Sequence, residues 1–379
     1  MRHRRTILNI SAILTAAAVV GSVVGFANAG PSAPSPTVAS TIPSAHGQKV
    51  IFDTDFGELN DDSQALYLLL QGGADVLGIT TVSGNTWAAE GTAYALKQLE
   101  LVHRQQIPVF QGASDPLFGS RQHKLAAEGA AFGKVSYTGA WSHNRPRDYR
   151  HLATPPYRGY ARTAKASNSA VDFIVNQVKR YPHQITLFVL GPATNIALAV
   201  TEHPEIAPLL KQVIYMGGAY DVPGNQGPAA EFNVWFDPEA SRIALNAPFP
   251  RQTIVPLDVT DTVHYGRAQY DRVAHGSTTP ITQEFRDLQG PGFAKDPSMT
   301  TFVYDALTAG IFLDPNLVTK SSTRKVQVDT TYGLDYGRTL SYPPSEAPVG
   351  TRTARIVQRI NVHDFFDLFV KEMTSPVHG

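Results

Sequence analysis

Apolar and polar positions alternate along this chain with two different periods. Short apolar runs rich in β-branched residues occupy 50–53, 76–82, 108–111, 185–190, 213–216 and 253–257. They have the length and composition of buried strands. Helical patterns lie between several of them, at 63–70, 88–103, 169–181, 195–200 and 238–246. The last has a well-formed start, with Asp237 as N-cap, Pro238 at the first helical position and Glu239 in the first turn. Strands alternating with helices predict an α/β fold: an open, mostly parallel sheet with helices on both faces. In such sheets ligands bind beyond the carboxyl ends of the strands. The notable polar residues fall there: Asp53 and Asp55 after the first strand, Asn85 after the second, 191–195 after the fourth and 216–218 after the fifth.

Two stretches break the alternation. Residues 114–168 lack clear periodicity and carry nine Lys/Arg against three Asp/Glu, with Trp141 and several tyrosines. They are expected to form an insertion packed over the surface, with a lid or specificity role as the alternative. Residues 261–300 are expected to be loop-rich because of Gly290-Pro291-Gly292. They lead into Phe302-Val-Tyr-Asp-Ala-Leu307, which has the pattern of a buried helix start carrying one acid, Asp305. A buried acid is costly unless paired or metal-bound; helix capping near Thr301 or a salt bridge would also account for it. Runs at 325–328, 338–342 and 354–360 predict a small antiparallel addition, closed by a helix at 363–373.

Composition narrows the function. The 379 residues are 42% hydrophobic, enough for a large core, and carry no cysteine. Disulfides, thiolate catalysis and zinc–thiolate sites are therefore excluded. A formal net charge of zero argues against a general nucleic-acid or membrane-surface binder. Arg2, Arg4 and Arg5 precede an apolar stretch at 7–26 and a small-x-small triplet, Ala27-Asn28-Ala29. This predicts a signal peptide at 1–29 and export, rather than a membrane anchor, so no stable membrane span after processing. Arg4-Arg5-Thr-Ile-Leu is a loose twin-arginine match. Loss of the three arginines leaves 29 basic against 32 acidic residues, a net charge of −3. Residues 30–47 are rich in Pro, Ser and Ala and predict a flexible linker, with the catalytic domain at 48–379.

The densest chemistry is at 50–66. Asp53, Asp55, Asp61 and Asp62 are four carboxylates within ten positions, between a strand pattern and a helix pattern. Crowded like charges need a cation or solvent to be tolerated. A solvated acidic turn with capping aspartates and a cation site both fit this segment.

Asp53-Thr-Asp55-x-Gly57-x-x-x-Asp61-Asp62 resembles the N-terminal fingerprint of the nucleoside hydrolases, the inosine–uridine-preferring family of N-ribosyl hydrolases. The commonest form of the fingerprint has one residue between the glycine and the paired aspartates. This chain has three, as do some relatives. The resemblance continues in order through Val82-Ser-Gly-Asn85, Ile107-Pro-Val-Phe-Gln-Gly112, Gly191-Pro-Ala-Thr-Asn195, Met216-Gly-Gly218, Asn225, Ala230-Glu-Phe-Asn233, Asp237-Pro-Glu-Ala240, Leu257-Asp-Val-Thr260 and Tyr304-Asp305. It spans most of 48–375.

The resemblance implies a Rossmann-like core and a calcium ion held by Asp55, Asp62, Asp305 and the backbone carbonyl of Thr194. Oxygen ligands suit that hard cation. It further implies Asp55 as the base for an attacking water. By motif position Asp61, Asn85, Asn225, Glu231, Asn233, Asp305 and the backbone at Met216 would hold ribose. Asn233 would also assist an oxocarbenium-like transition state. For Asn225 and Asn233, turn chemistry is the alternative. The implied partner is a small-molecule nucleoside, and the family's usual oligomerisation keeps a homo-oligomer open.

One departure stands out. Tyr304 occupies the place where many members have a histidine that protonates the departing base. A phenol is a poorer proton donor than imidazolium at neutral pH. Tyr304 is expected to line the base pocket, and plain packing would also explain it. Alternatives therefore stay open: a hydrolase of another N-riboside, such as a nicotinamide or modified-base riboside, or a non-catalytic ribosyl- or calcium-binding relative. Asp53-Thr-Asp55 after a strand also resembles haloacid-dehalogenase-like phosphatases, but that reading leaves Asp61-Asp62 and the 225–233 block unexplained.

Overall fold

The computed structural model describes residues 45–377 apart from Lys134, Ser136 and Pro228. The expected signal peptide and most of the expected linker lie outside the described residues. The strands are β1 Lys49–Thr54, β2 Asp75–Thr81, β3 Val109–Gln111, β4 Thr186–Val189, β5 Gln212–Met216, β6 Gln252–Val255, β7 His264–Tyr265, β8 Thr301–Phe302, β9 Val318–Val328, β10 Thr339–Tyr342 and β11 Arg352–Ile360. The helices are α1 Asp61–Gln71, α2 Ala88–Leu101, α3 Leu125–Phe132, α4 Ala170–Arg180, α5 Thr194–Glu202, α6 Phe232–Phe236, α7 Pro238–Asn246, α8 Leu257–Thr260, α9 Arg267–Ala274, α10 Pro280–Lys295, α11 Tyr304–Leu313 and α12 Val362–Thr374.

Nine strands form one sheet in the order β10-β9-β11-β6-β5-β4-β1-β2-β3. The pairs from β3 to β11 through β6 are parallel, and β9 and β10 add antiparallel pairs at one edge. The α/β expectation is borne out. Successive residues of β1 point to opposite faces. Val50 and Phe52 enter a core with α1, α11 and α12, and Ile51 enters a second core with α4, α5 and α7. Both sheet faces are thus covered, which is why these strands read as continuous apolar runs.

The order reverses at β1: β2 and β3 lie to one side, β4 to β6 to the other. The loops after β1 and β4 leave in opposite directions and open a crevice at their carboxyl ends. Asp55, the residue after β1, lies at that switch point.

Helix α7 starts as the sequence indicates, with the Asp237 side chain accepting the Ala240 N–H at 3.1 Å. Four expectations change. The loop expected across 261–300 contains α9 and α10, the latter running through Pro291. Thr279 caps α10, Pro280 fits its first position, and Phe285 and Phe293 pack on Tyr270, with ring centroids 4.6 Å apart for Phe293. Burial of that apolar face outweighs the Gly-Pro-Gly breaker signal. The helix expected from Phe302 starts two residues later, because Phe302 pairs with His264 in a small antiparallel ribbon. Strand β6 stops at Val255, and Leu257 opens the short α8. The 114–168 insertion contains α3 and is anchored inward: Trp141 is buried and stacks on Phe236 at 4.2 Å.

Candidate active site

Residues of β2, α5 and the loop after β2 hold the first two aspartates. Asp53, fully buried in β1, accepts hydrogen bonds from the Thr80 hydroxyl and from Asn195 Nδ2, the latter at 2.7 Å. Burial still raises its pKa to about 7. Asp55 accepts the Asn85 backbone N–H at 2.6 Å and Asn85 Nδ2 at 3.2 Å. Gly84 makes this possible, since a Cβ there would overlap Asp55 Oδ2. Gly191, after β4, closes the other side, where a Cβ would fall 2.8 Å from the Asp55 nitrogen.

Asp61, Asp62 and Asp305 converge from the starts of α1 and α11, with one carboxylate oxygen of each within 4.8 Å of the others. Asp62 is held by the Thr54 hydroxyl and by Asn60 Nδ2, the amide at 2.6 Å. Asp305 is buried and its Oδ1 has no hydrogen-bond partner. Burial first, then the charges of Asp62, Asp61, Asp55 and Glu231, push the Asp305 carboxyl well above its usual range. Burial and the Asp62 charge raise Asp61 to about 7. An orphaned carboxylate oxygen inside a group of acids fits a bound cation, which would supply the missing partner and offset the repulsion. The converging trio includes Asp61, which the sequence placed with ribose. Asp55, which the sequence placed with the metal, has both oxygens engaged by Asn85. Thr194 begins α5 and its hydroxyl donates to Asp237 Oδ2 at 2.7 Å.

Above this group opens a cavity of ≈ 440 Å³, within the usual range for small-molecule sites. Its lining brings together Asp61, Asn85, Met216, Asn225, Glu231, Asn233, Tyr304 and Asp305, all expected from the sequence. Asp55, Asp62 and Thr194 are buried outside that lining. Glu231 is also a structural cap: its carboxylate accepts the N–H groups of Asn233 at 2.8 Å, Gly218 at 3.0 Å and Val234 at 3.2 Å. Gly218 has φ of 82°, a conformation that favours glycine, which turns its N–H toward Glu231. Asn233 Nδ2 donates to the carbonyls of Leu190 at 3.1 Å and Met216 at 3.2 Å. Asn225 is exposed, immediately before the Gln226–Ala230 bridge.

The cavity wall also holds residues that motif reasoning missed. Tyr137, from the insertion, packs its ring 5.1 Å from Phe232 and donates to Asn85 Oδ1 at 3.2 Å. Its only sequence signal was the density of tyrosines in an aperiodic segment. Phe302 stands half-exposed 4.6 Å from the Tyr304 ring. Gln226 is 2% exposed, lines the cavity, and its Oε1 has no partner; its signal was adjacency to Asn225.

The sequence model of the inosine-uridine preferring nucleoside hydrolases matches residues 50–367. The chain belongs to this nucleoside hydrolase family. It is 32% identical over 223 residues to a probable uridine nucleosidase 2 of rice, Oryza sativa, covering 58% of this chain and 59% of the relative. The chain thus spans about six-tenths of the length of that curated relative. It is 29% identical over 306 residues to the pyrimidine-specific ribonucleoside hydrolase RihB of Escherichia coli, covering 77% of this chain and 87% of that one. Among solved structures, a plant nucleoside hydrolase superposes with a TM-score of 0.71 at 26% identity, covering 87% of this chain and 99% of the other. The nucleoside hydrolase motifs therefore occur on a nucleoside hydrolase fold, and residues from several of them line the cavity that Asp61 and Asp305 border.

Proposed function

We propose that this protein is an exported, calcium-dependent hydrolase that cleaves the N-glycosidic bond of ribonucleosides to free base and ribose. The observation that carries the reading is the orphaned Asp305 Oδ1 among the carboxylates of Asp61 and Asp62, on the wall of a nucleoside-sized cavity. Asp62, Asp305 and Asp61 would hold the ion, with Asp55 and the Thr194 carbonyl alongside. Bound calcium would supply oxygen affinity for sugar hydroxyls and acidify water.

The chain's own groups do the rest. Asp55 is oriented by Asn85 and is the carboxylate assigned to accept a proton; burial first, then the Asp62 charge, raise its pKa, and a cation nearby would work against both. Glu231, Asp61 and Asp305 place negative charge around a sugar that turns positive as the glycosidic bond breaks. Asn233 spends Nδ2 on two backbone carbonyls, so Oδ1 is the group it offers a ligand. Export rests on the arginines and apolar stretch that end at Ala27-Asn28-Ala29.

One observation favours a second reading, binding without turnover. The Tyr304 hydroxyl is committed to Asp261, and among the described residues no imidazole lines the cavity. Reducing-sugar release from purine, pyrimidine and nicotinamide ribosides, with calcium and with chelator, separates the two. Release that calcium restores after chelation is the expected result. Tight calcium binding with no release from any riboside would replace the hydrolase by a binding protein. The amino-terminal residue of protein recovered outside the producing cell tests export; Gly30 is expected.

A further inference from the structure

The three residues that separate Gly57 from Asp61-Asp62 form a built element. Glu58 accepts the Tyr157 backbone N–H and so ties this spacer to the 114–168 segment. Leu59 is fully buried with φ of 47°, and its carbonyl accepts Gln289 Nε2 of α10 at 3.2 Å. These two anchors fix Asn60 between them and α1.

Asn60 makes two contacts of unequal quality. Its Oδ1 faces the Ser63 N–H at 3.5 Å, a long N-cap contact. Its Nδ2 donates to Asp62 Oδ2 at 2.6 Å, a short bond to a carboxylate. Capping alone therefore does not account for where this side chain lies. It lies over Gly57, where a Cβ would fall 2.5 Å from Asn60 Nδ2. On its other side Asp62 accepts the Thr54 hydroxyl through Oδ1. The carboxylate is gripped from the end of β1 and from the spacer, and each oxygen keeps lone-pair capacity for the cluster.

We infer that Asn60 is a positioning residue for the acidic trio: it fixes the rotation of the Asp62 carboxylate and thereby sets the affinity for calcium. The inference rests on the proposed reading that the trio holds this cation. Outer-shell partners of ligand carboxylates commonly change metal affinity by about 10- to 100-fold. The spacer thus carries the insertion and α10 to the metal-capable group through one amide.

Calorimetric titration of calcium into the wild-type and Asn60→Ser proteins tests this. Serine keeps a side-chain cap for α1 and is too short to hold Asp62. The expected result is a calcium Kd raised about tenfold or more, with the melting temperature in chelator close to that of the wild type. Equal affinities would overturn the positioning role and leave the metal reading standing. A wild type that binds no calcium would overturn both. If the serine variant does not fold, Asn60→Gly, also accepted at N-caps, is judged by the same two outcomes.

Discussion

The Tyr304 hydroxyl donates to Asp261 Oδ1 at 2.9 Å, beside the cavity that Tyr304 lines. Burial, then the Asp261 charge, hold the phenol well above its ordinary pKa. It is a neutral donor whose proton is already given to an aspartate, so it is a poor source for a departing base. Its ring lines the cavity next to Phe302. Tyr304→Phe is expected to keep kcat within about threefold. Tyr304→Ala is expected to raise KM about tenfold, as loss of an aromatic contact is worth about 0.5–1.5 kcal/mol. Steady-state kinetics on the preferred riboside decide; a hundredfold fall in kcat for the phenylalanine variant would give the hydroxyl a chemical role.

Gly84 lets the backbone pass directly against Asp55. Gly84→Ala must displace the carboxylate or the loop, at a cost of about 1–3 kcal/mol for an overpacked interior. Activity should fall further than stability, because misplacing a reacting group by about 1 Å can cost about 100-fold. Turnover measured beside a urea melt checks the ratio. Full activity in a stably folded variant would show that Asp55 need not sit where Gly84 permits.

Gln226 has a buried carbonyl without a partner. An unsatisfied buried acceptor costs about 1–3 kcal/mol in the free protein. Gln226→Leu removes that cost, so the melting temperature is expected to stay level or rise. A ligand donor would lose its acceptor, so KM is expected to rise about tenfold with kcat changed less. A lowered melting temperature with unchanged KM would make the residue structural.

Glu284 is buried between α1, α2 and α10, accepting Tyr67 Oη at 2.6 Å and Gln98 Nε2 at 3.2 Å. Burial raises its pKa from 4.5 to about 7. Between those values the folded state holds a proton that the unfolded state releases. Stability therefore falls as pH rises through this window, by at most about 1.4 kcal/mol per unit. Glu284→Gln cannot titrate, so its stability relative to wild type should improve steadily from pH 5 to pH 7. Urea unfolding at several pH values reads the slope; parallel curves would mean that Glu284 titrates as an exposed acid does.

The sheet was legible because buried parallel strands leave continuous β-branched runs, as at 185–190 and 213–216. The start of α7 was legible because Asp237 and Pro238 are local signals. Helix α10 was hidden, because Gly290-Pro291-Gly292 is a local breaker and the packing of Phe293 on Tyr270 comes from a distant segment. The same division runs through the site. Asp61, Asn85, Glu231, Asn233 and Asp305 carry ordered motifs and meet around one cavity. Tyr137 comes from an aperiodic insertion, and only the fold brings it to Asn85. The spacing at 58–60 was visible as a departure, but the grip of Asn60 on Asp62 depends on a turn that spacing alone does not specify.

The cavity lining includes Asp61, Glu231 and Asp305 and, among the described residues, no lysine or arginine. A phosphorylated ligand would bring about two negative charges into a space whose lining offers acidic side chains and no basic one to pair with them. Under the proposed reading, such a lining would favour uncharged ribosides over nucleotides. Under that reading, in any route that starts from nucleic-acid debris, a phosphate-removing step would act before this protein does.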